Sequence, residues 1–162
     1  MITFGVDPDN ATCVLDGDRL MSIRSWKKGI DDFALCRKVQ EAVDVAVRRG
    51  AEVMAIEGQF IDARDSEDKA TRISKGIASL KLSRRAGFFV MEWLRVTKGS
   101  MVVTLQPQSW YSVSVGKRQG KTSKERKKAT QAMVKSIYGA TVGEDEADAI
   151  GIARAVSIGR MG

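Results

Sequence analysis

Four carboxylate side chains stand where they would together bind a divalent metal ion. Asp7 ends the apolar run ITFGVDP, Glu57 ends a second apolar run, VMAIEG, and Asp145 and Asp148 lie three residues apart in EDEADAIGIA. A carboxylate at the end of a buried strand is costly to desolvate unless its charge is compensated. A divalent cation supplies that compensation when several carboxylates converge, and hard oxygen ligands suit Mg²⁺ or Mn²⁺.

Each of these acids also has an ordinary structural interpretation. Asp7 precedes a proline and is suited to an Asx-turn, and Glu57 is compatible with a structural salt bridge. Asp145 and Asp148 share one face of a predicted helix start, where acids compensate the helix dipole. The combination favours a metal site, since adjacent strands of one sheet would join Asp7 to Glu57 and a packed helix would add the acidic pair. Two divalent ions there would bind a phosphate oxygen, activate water and stabilise a leaving oxygen.

The composition excludes several kinds of active site. The chain of 162 residues has no histidine, which removes Ser-His-Asp and Cys-His catalysis and every zinc site that needs imidazole. Cys13 and Cys36 are isolated, so core packing and a reducing cytosolic environment are expected. No signal peptide or long apolar span is evident, which favours a soluble protein without membrane attachment.

Positive charge is concentrated in one segment. The formal net charge is +7, and the segment 117–128, KRQGKTSKERKK, holds seven basic residues and one acid. Such a patch indicates either a polyanion partner or a solvated basic surface. The nearby carboxylates favour a phosphate-containing partner.

The apolar periodicity predicts one α/β domain spanning residues 1–162, with a mixed sheet and helices on both of its faces. Asp31 or Asp32 is the expected N-cap of the first helix, whose apolar stripe is Leu35, Val39, Ala42, Val43 and Ala46. Ser123 is the expected cap of a later helix. The predicted strands are 2–8, 11–17, 19–26, 52–58 and 101–106, and the later helices are 108–114, 124–138 and 144–158, with helical spacing also from Ile73 through the 88–94 region.

The order of these motifs resembles the RuvC Holliday-junction resolvases, which have the RNase H-like fold. GVDP is similar to the family's opening strand with its first acid, and AIEGQF is similar to its second-acid motif. The segment from Pro107 through the basic loop resembles the family's proline-started helix, glycine loop and lysine-containing helix. DEADAIGIA resembles its closing D-x-x-D-A helix. The resemblance runs from residue 2 to about residue 156.

The resemblance implies a homodimeric, Mg²⁺-dependent endonuclease that nicks four-way DNA junctions symmetrically, leaving 5′-phosphate and 3′-hydroxyl ends. Two Mg²⁺ ions per active site, replaceable by Mn²⁺, would be held by Asp7, Glu57, Asp145 and Asp148, with Lys124 near the scissile phosphate and no small-molecule cofactor. Phe60 would stack at the junction centre, and the helix after residue 66 would form the dimer. The expected DNA contacts are Phe60, Arg64, Lys69, Arg72, Lys75, Lys117, Arg118, Lys121, Lys124, Arg126, Lys127 and Lys128.

Some positions depart from the family pattern. Asp9 stands where the family usually has glycine, and it would either join the acidic cluster or make the same turn. The basic loop is unusually rich in lysine and arginine, which is more typical of a bacteriophage-type branch. Trp26, Trp93 and Trp110 are expected in packing or dimer contacts. Two alternatives stay open: a less selective RNase H-like nuclease acting on branched DNA, flaps or RNA–DNA hybrids, and a junction-binding protein without catalytic activity.

Overall fold

Five strands form one mixed sheet in the computed structural model, which describes residues 1–58, 68–117 and 119–159, apart from the side chain of Arg72. The strand order is β3-β2-β1-β4-β5. β1 pairs antiparallel with β2 and parallel with β4, while β4 pairs parallel with β5. The strands are β1 (Ile2–Asp7), β2 (Ala11–Asp16), β3 (Arg19–Ser25), β4 (Val53–Glu57) and β5 (Met101–Leu105).

Helices cover both faces of this sheet, as the sequence pattern predicts. One face packs Phe4, Val6, Met54 and Ile56 against the first two helices. The other face packs residues such as Cys13 and Ala55 against the last three. The helices are α1 (Asp32–Arg48), α2 (Lys69–Thr97), α3 (Pro107–Ser114), α4 (Ser123–Tyr138) and α5 (Glu144–Gly159).

Most of the predicted elements are confirmed, and one cap differs. Asp31 caps α1 through a hydrogen bond from the Ala34 amide, and all five residues of the predicted apolar stripe are buried. Ser123 is not the cap of α4. The N-cap is Thr122, because its side chain accepts a hydrogen bond from the Glu125 amide while the Glu125 carboxylate accepts one from the Thr122 amide. This reciprocal capping box satisfies two helix-start amides that a serine one residue later would leave unpaired.

α2 is a single helix of 29 residues that runs through Gly76 and Gly87 without a break. Its C-terminal half is anchored in the core by Phe89 and Trp93, both fully buried. Its N-terminal half presents Ile73, Ile77 and Leu80 to solvent, with exposed fractions of 52, 63 and 66%. Among the helices of the described residues, none has the length and apolar character to cross a bilayer.

α5 lies directly on β1 because Gly5 has no side chain. A Cβ atom at Gly5 would fall 2.4 Å from the Ala149 carbonyl oxygen and 2.7 Å from the Ala153 Cβ. Those separations are shorter than van der Waals contact, so a larger residue would push the helix away from the sheet. This close approach brings the first turns of α5 beside the end of β1.

Candidate active site

The alternation of side chains along the strands places Asp7 and Glu57 on the same face of the sheet. Val6 and Ile56 are register partners in the parallel β1–β4 pair and point to the face covered by α1 and α2. Asp7 and Glu57, one residue further along each strand, therefore point to the opposite face, where α5 packs. Carboxyl ends of adjacent parallel strands are a common place for ligand sites in α/β proteins.

Electrostatic coupling joins these two acids to the acidic pair of α5. Burial raises the pKa of Asp7 well above its usual range, and the charges of Glu57, Asp148 and Asp145 raise it further, against a lowering contribution from the Asp9 amide. Burial also raises the pKa of Asp148 to about 7, with Glu57 and Asp145 adding to the shift and Lys127 opposing it. The four acids predicted from the sequence thus act on one another at one edge of the sheet.

Neighbouring residues orient three of these carboxylates. The Asp9 amide donates to Asp7 Oδ1 at 3.1 Å, which is the Asx-turn that the Asp-Pro sequence suggests. Trp110 Nε1 donates to Glu57 Oε2 at 2.7 Å. Asn10 Nδ2 donates to Asp145 Oδ2 at 2.8 Å, and Lys28 Nζ lies 3.7 Å from the same oxygen.

Trp110 is held over α5 by a second glycine. A Cβ at Gly151 would fall 2.6 Å from Trp110 Cζ3, and the Ser114 hydroxyl donates to the Gly151 carbonyl. The indole is therefore fixed between α5 and Glu57, with its N–H directed at the carboxylate. The sequence predicts Trp110 in packing or dimer contacts. It packs as expected, but it also orients a candidate metal ligand, a role that its spacing in the sequence does not reveal.

The donor chemistry of this site fits a hard divalent cation. All four predicted ligands are carboxylates, and hydrogen bonds that orient such ligands are typical of the surroundings of metal sites. In these side-chain positions, no three acidic or thiol groups of residues 1–58, 68–117 and 119–159 come together closely enough to hold an ion. Repulsion between uncompensated carboxylates favours such separation, so metal binding would draw them inward. The residues that would hold the ions are Asp7, Glu57, Asp145 and Asp148.

Next to the acids is an open cleft of about 630 Å³ with basic residues on its wall. Glu57 and Asp148 line one side, and Lys117, Arg126 and Lys127 contribute positive charge. Gly120 permits this wall to form, because its φ is +76° and a Cβ there would fall 2.7 Å from the Arg126 amide nitrogen. The cleft thus combines carboxylates with cations able to bind phosphate.

Lys127 is better placed in this cleft than Lys124. Lys127 Nζ lies 2.8 Å from Glu144 Oε2, which raises the pKa of Lys127, and its charge also interacts with Asp145 and Asp148. Lys124 is exposed on the first turn of α4 and does not line the cleft. A role for Lys124 at the scissile phosphate stays a prediction. The two lysines are three residues apart, so the sequence places both on one face of α4 and does not show which of them lines the cleft.

The other predicted DNA contacts are distributed over two surfaces. Lys121 and Lys128 are exposed around the start of α4, while Lys69 and Lys75 are exposed on the N-terminal half of α2. Phe60, Arg64 and Arg118 lie outside the described residues, as does the side chain of Arg72. Their predicted contacts stay predictions.

The raised pKa of Asp148 predicts how stability depends on pH in the absence of metal. Between the ordinary pKa of 3.8 and the folded-state pKa of about 7, the folded protein retains a proton that the unfolded chain releases. Stability therefore falls as pH rises through this window, and the full cost is present above pH 7. Asp148→Asn removes that cost, so its stabilisation should grow by about 1–2 kcal/mol between pH 5 and pH 8 after solvent screening is allowed for.

Urea denaturation in EDTA at both pH values measures this difference. Asp16→Asn, which removes an exposed carboxylate at the end of β2, is the matched control for the loss of one acidic charge. A difference between Asp148→Asn and wild type that is the same at pH 5 and pH 8 would contradict the shifted pKa.

Solved structures share this fold. The structure of Thermus thermophilus RuvC is 18% identical, covers 99% of this chain and 96% of its own, and superposes with a TM-score of 0.64. T. thermophilus RuvC in complex with Holliday junction substrate is 19% identical, with 100% and 96% coverage and a TM-score of 0.64. Yeast mitochondrial Holliday junction resolvase Ydc2 is a weaker likeness, at 16% identity, 94% and 76% coverage and a TM-score of 0.47.

No family model matches the sequence, and no curated protein matches it either. At 18 and 19% identity, the RuvC structures establish the fold and no more. Their agreement over nearly the whole chain confirms the structural resemblance that the sequence motifs indicate. The chain has the α/β, RNase H-like fold of the RuvC Holliday-junction resolvases.

Proposed function

We propose that the protein is a Holliday-junction resolvase, a metal-dependent endodeoxyribonuclease that makes symmetric nicks in four-way DNA junctions. One observation carries the proposal: four acids from β1, β4 and α5 interact at one sheet edge, beside a cleft with basic residues on its wall. The carboxylates match hard divalent ions, and the cations match a phosphate backbone. The fold shared with the RuvC structures, one of which contains a Holliday junction substrate, supports this choice of substrate.

Different residues of the chain would bind the metal ions and the DNA backbone. Asp7, Glu57, Asp145 and Asp148 would bind two divalent ions, with Trp110 and Asn10 orienting Glu57 and Asp145. When bound, such ions supply Lewis-acid stabilisation and lower the pKa of water. Lys127, Arg126 and Lys117 would hold the phosphate backbone in the cleft. Because no histidine is present, proton transfer would not pass through an imidazole.

Cleavage of a panel of labelled DNA substrates tests this function. With Mg²⁺, and in parallel with Mn²⁺, we expect four-way junctions to be cut faster than three-way junctions, flaps, linear duplexes or RNA–DNA hybrids, with 5′-phosphate and 3′-hydroxyl products. Equal rates on every substrate would instead favour a less selective RNase H-like nuclease.

Asp7→Asn and Glu57→Gln are the controls that separate catalysis from binding. Both substitutions keep the size of the side chain but remove a metal-binding charge, so cleavage should be lost while junction binding in EDTA is retained. Wild-type cleavage by either variant would contradict the site assignment. Absence of cleavage by the wild type, with tight junction binding, would favour a catalytically silent junction-binding protein.

The indole of Trp110 should affect catalysis more than stability. Trp110→Phe keeps an aromatic ring over Gly151 but removes the N–H that orients Glu57. Loss of such an outer-sphere hydrogen bond typically costs 10- to 100-fold in metal affinity or activity, and we expect a fall of about that size in the junction cleavage rate.

Trp93→Phe is the matched control for this substitution. Trp93 is fully buried, and its indole N–H points at the Ser100 and Met101 carbonyls, 3.3 Å from each. Trp93→Phe should lower the unfolding temperature without lowering the cleavage rate of the folded protein. Equal effects of the two variants on cleavage would show that Trp110 has only a packing role.

The exposed apolar stripe of α2 is the proposed homodimer surface. Ile73, Ile77 and Leu80 follow four-and-three spacing, which puts them on one face of the helix. Such a row of large exposed apolar side chains is typical of an interaction surface. A symmetric pairing would supply the two active sites needed to nick both strands of a junction.

Ile77→Asp should disrupt this dimer. Each dimer would then bury two unpaired carboxylates, so the dissociation constant should rise by about 100-fold. Sedimentation velocity over a concentration series measures the change. Phe33→Asp on α1, at a residue that is 76% exposed, is the control and should dimerise like the wild type. A monomeric wild type would contradict the proposed interface.

A further inference from the structure

The turn between β1 and β2 reaches two of the four acids. Its Asp9 amide donates to Asp7 Oδ1 at 3.1 Å. Its Asn10 side chain donates to Asp145 Oδ2 at 2.8 Å, 135 residues away in the chain. A displacement of this turn would therefore move a carboxylate of β1 and release one of α5.

The guanidinium of Arg85, from the middle of α2, fixes this turn. Arg85 Nη1 donates to Asp9 Oδ1 at 3.0 Å and to the Asp9 carbonyl at 3.3 Å. Its Nη2 donates to the Ile30 carbonyl at 3.2 Å. The Trp26 indole also donates to the Asp9 carbonyl, at 3.2 Å, so two donors hold the same oxygen.

The Arg85–Asp9 ion pair is not expected to contribute much to stability, because burying Arg85 is costly. The Arg85 side chain is only 3% exposed, and its Nε has no hydrogen-bond partner among the described residues. Removing a guanidinium from water is expensive, and apolar residues of similar volume often serve a core as well or better. An apolar pair would not provide directional hydrogen bonds to both the carbonyl and the carboxylate of Asp9.

We propose that Arg85 and Asp9 are positioning residues for the metal site, acting through the β1–β2 turn on Asp7 and Asp145. This inference rests on the proposed function, because it takes those two acids as cation ligands. The Asp9 carboxylate is directed at Arg85, where it supplies the counter-charge of a buried arginine.

The dependence of the unfolding temperature on Mn²⁺ concentration tests the pair without any cleavage reaction. A ligand that binds only the folded protein raises its unfolding temperature as its concentration rises. We expect Asp9→Ala and Arg85→Gln each to raise by about tenfold the Mn²⁺ concentration that produces a fixed rise in unfolding temperature above the value in EDTA. The double variant should raise it about as much as either single variant, because the two residues act as one unit.

Arg84→Gln is the matched control. Arg84 precedes Arg85 on α2, but its ion pair is with Asp32 at the start of α1, with 3.1 Å between Nη2 and Oδ2. Its Mn²⁺ response should equal that of the wild type. A lower unfolding temperature in EDTA for Asp9→Ala, together with an unchanged Mn²⁺ concentration for the same rise in unfolding temperature, would show a purely structural pair and overturn the inference.

Asp7→Asn separates this inference from the proposed function. It should abolish the Mn²⁺ response of the wild type. If the wild type itself shows no response, the metal site fails and the positioning role fails with it. If the wild type responds and Asp9→Ala responds at the same concentrations, only the positioning role is overturned. Should Arg85→Gln not fold, Asp9→Ala decides, since the Asp9 side chain is 39% exposed and removing it leaves no large cavity.

Discussion

Repulsion among four carboxylates at one edge of the sheet is the constraint on which the site depends. Burial and like charge raise the pKa of Asp7 and Asp148, so the folded protein bears a cost that a cation would remove. The surrounding contacts counter this repulsion in part: the Asp9 amide on Asp7, the Trp110 indole on Glu57, and the Asn10 amide on Asp145. Neutral donors thus orient three of the four carboxylates, and the proposed cations would supply the missing positive charge.

Close packing beside the acids makes this arrangement possible. Gly5 lets α5 lie against β1, and Gly151 lets Trp110 lie against α5, so the three elements that carry the acids are held at close range. Phe89 and Trp93 anchor α2 on the opposite face, and from there Arg85 reaches the β1–β2 turn. Both faces of the sheet therefore contribute to the same edge, one through the ligands and the other through the turn.

Sequence periodicity was enough for the order of strands and helices and for placing the four acids at the ends of β1 and β4 and at the start of α5, since these depend on local patterns. Their role as metal ligands stays a prediction. Strand alternation places Asp7 and Glu57 on one face, and the apolar stripe of α1 is buried as its spacing predicts. The supporting residues were not predictable in this way. Trp110 is 53 residues from Glu57, and Arg85 is 76 residues from Asp9, so these pairs exist only through tertiary packing. The Thr122 cap was predictable from the sequence, because Thr122 and Glu125 have the spacing of a capping box.

Anomalous diffraction from crystals soaked in Mn²⁺ is the sharpest test of the proposed metal site, since it locates the ions without reference to activity. We expect two Mn²⁺ peaks among the carboxylates of Asp7, Glu57, Asp145 and Asp148. Mn²⁺ peaks elsewhere on the protein, with none between these four side chains, would contradict the proposed metal site.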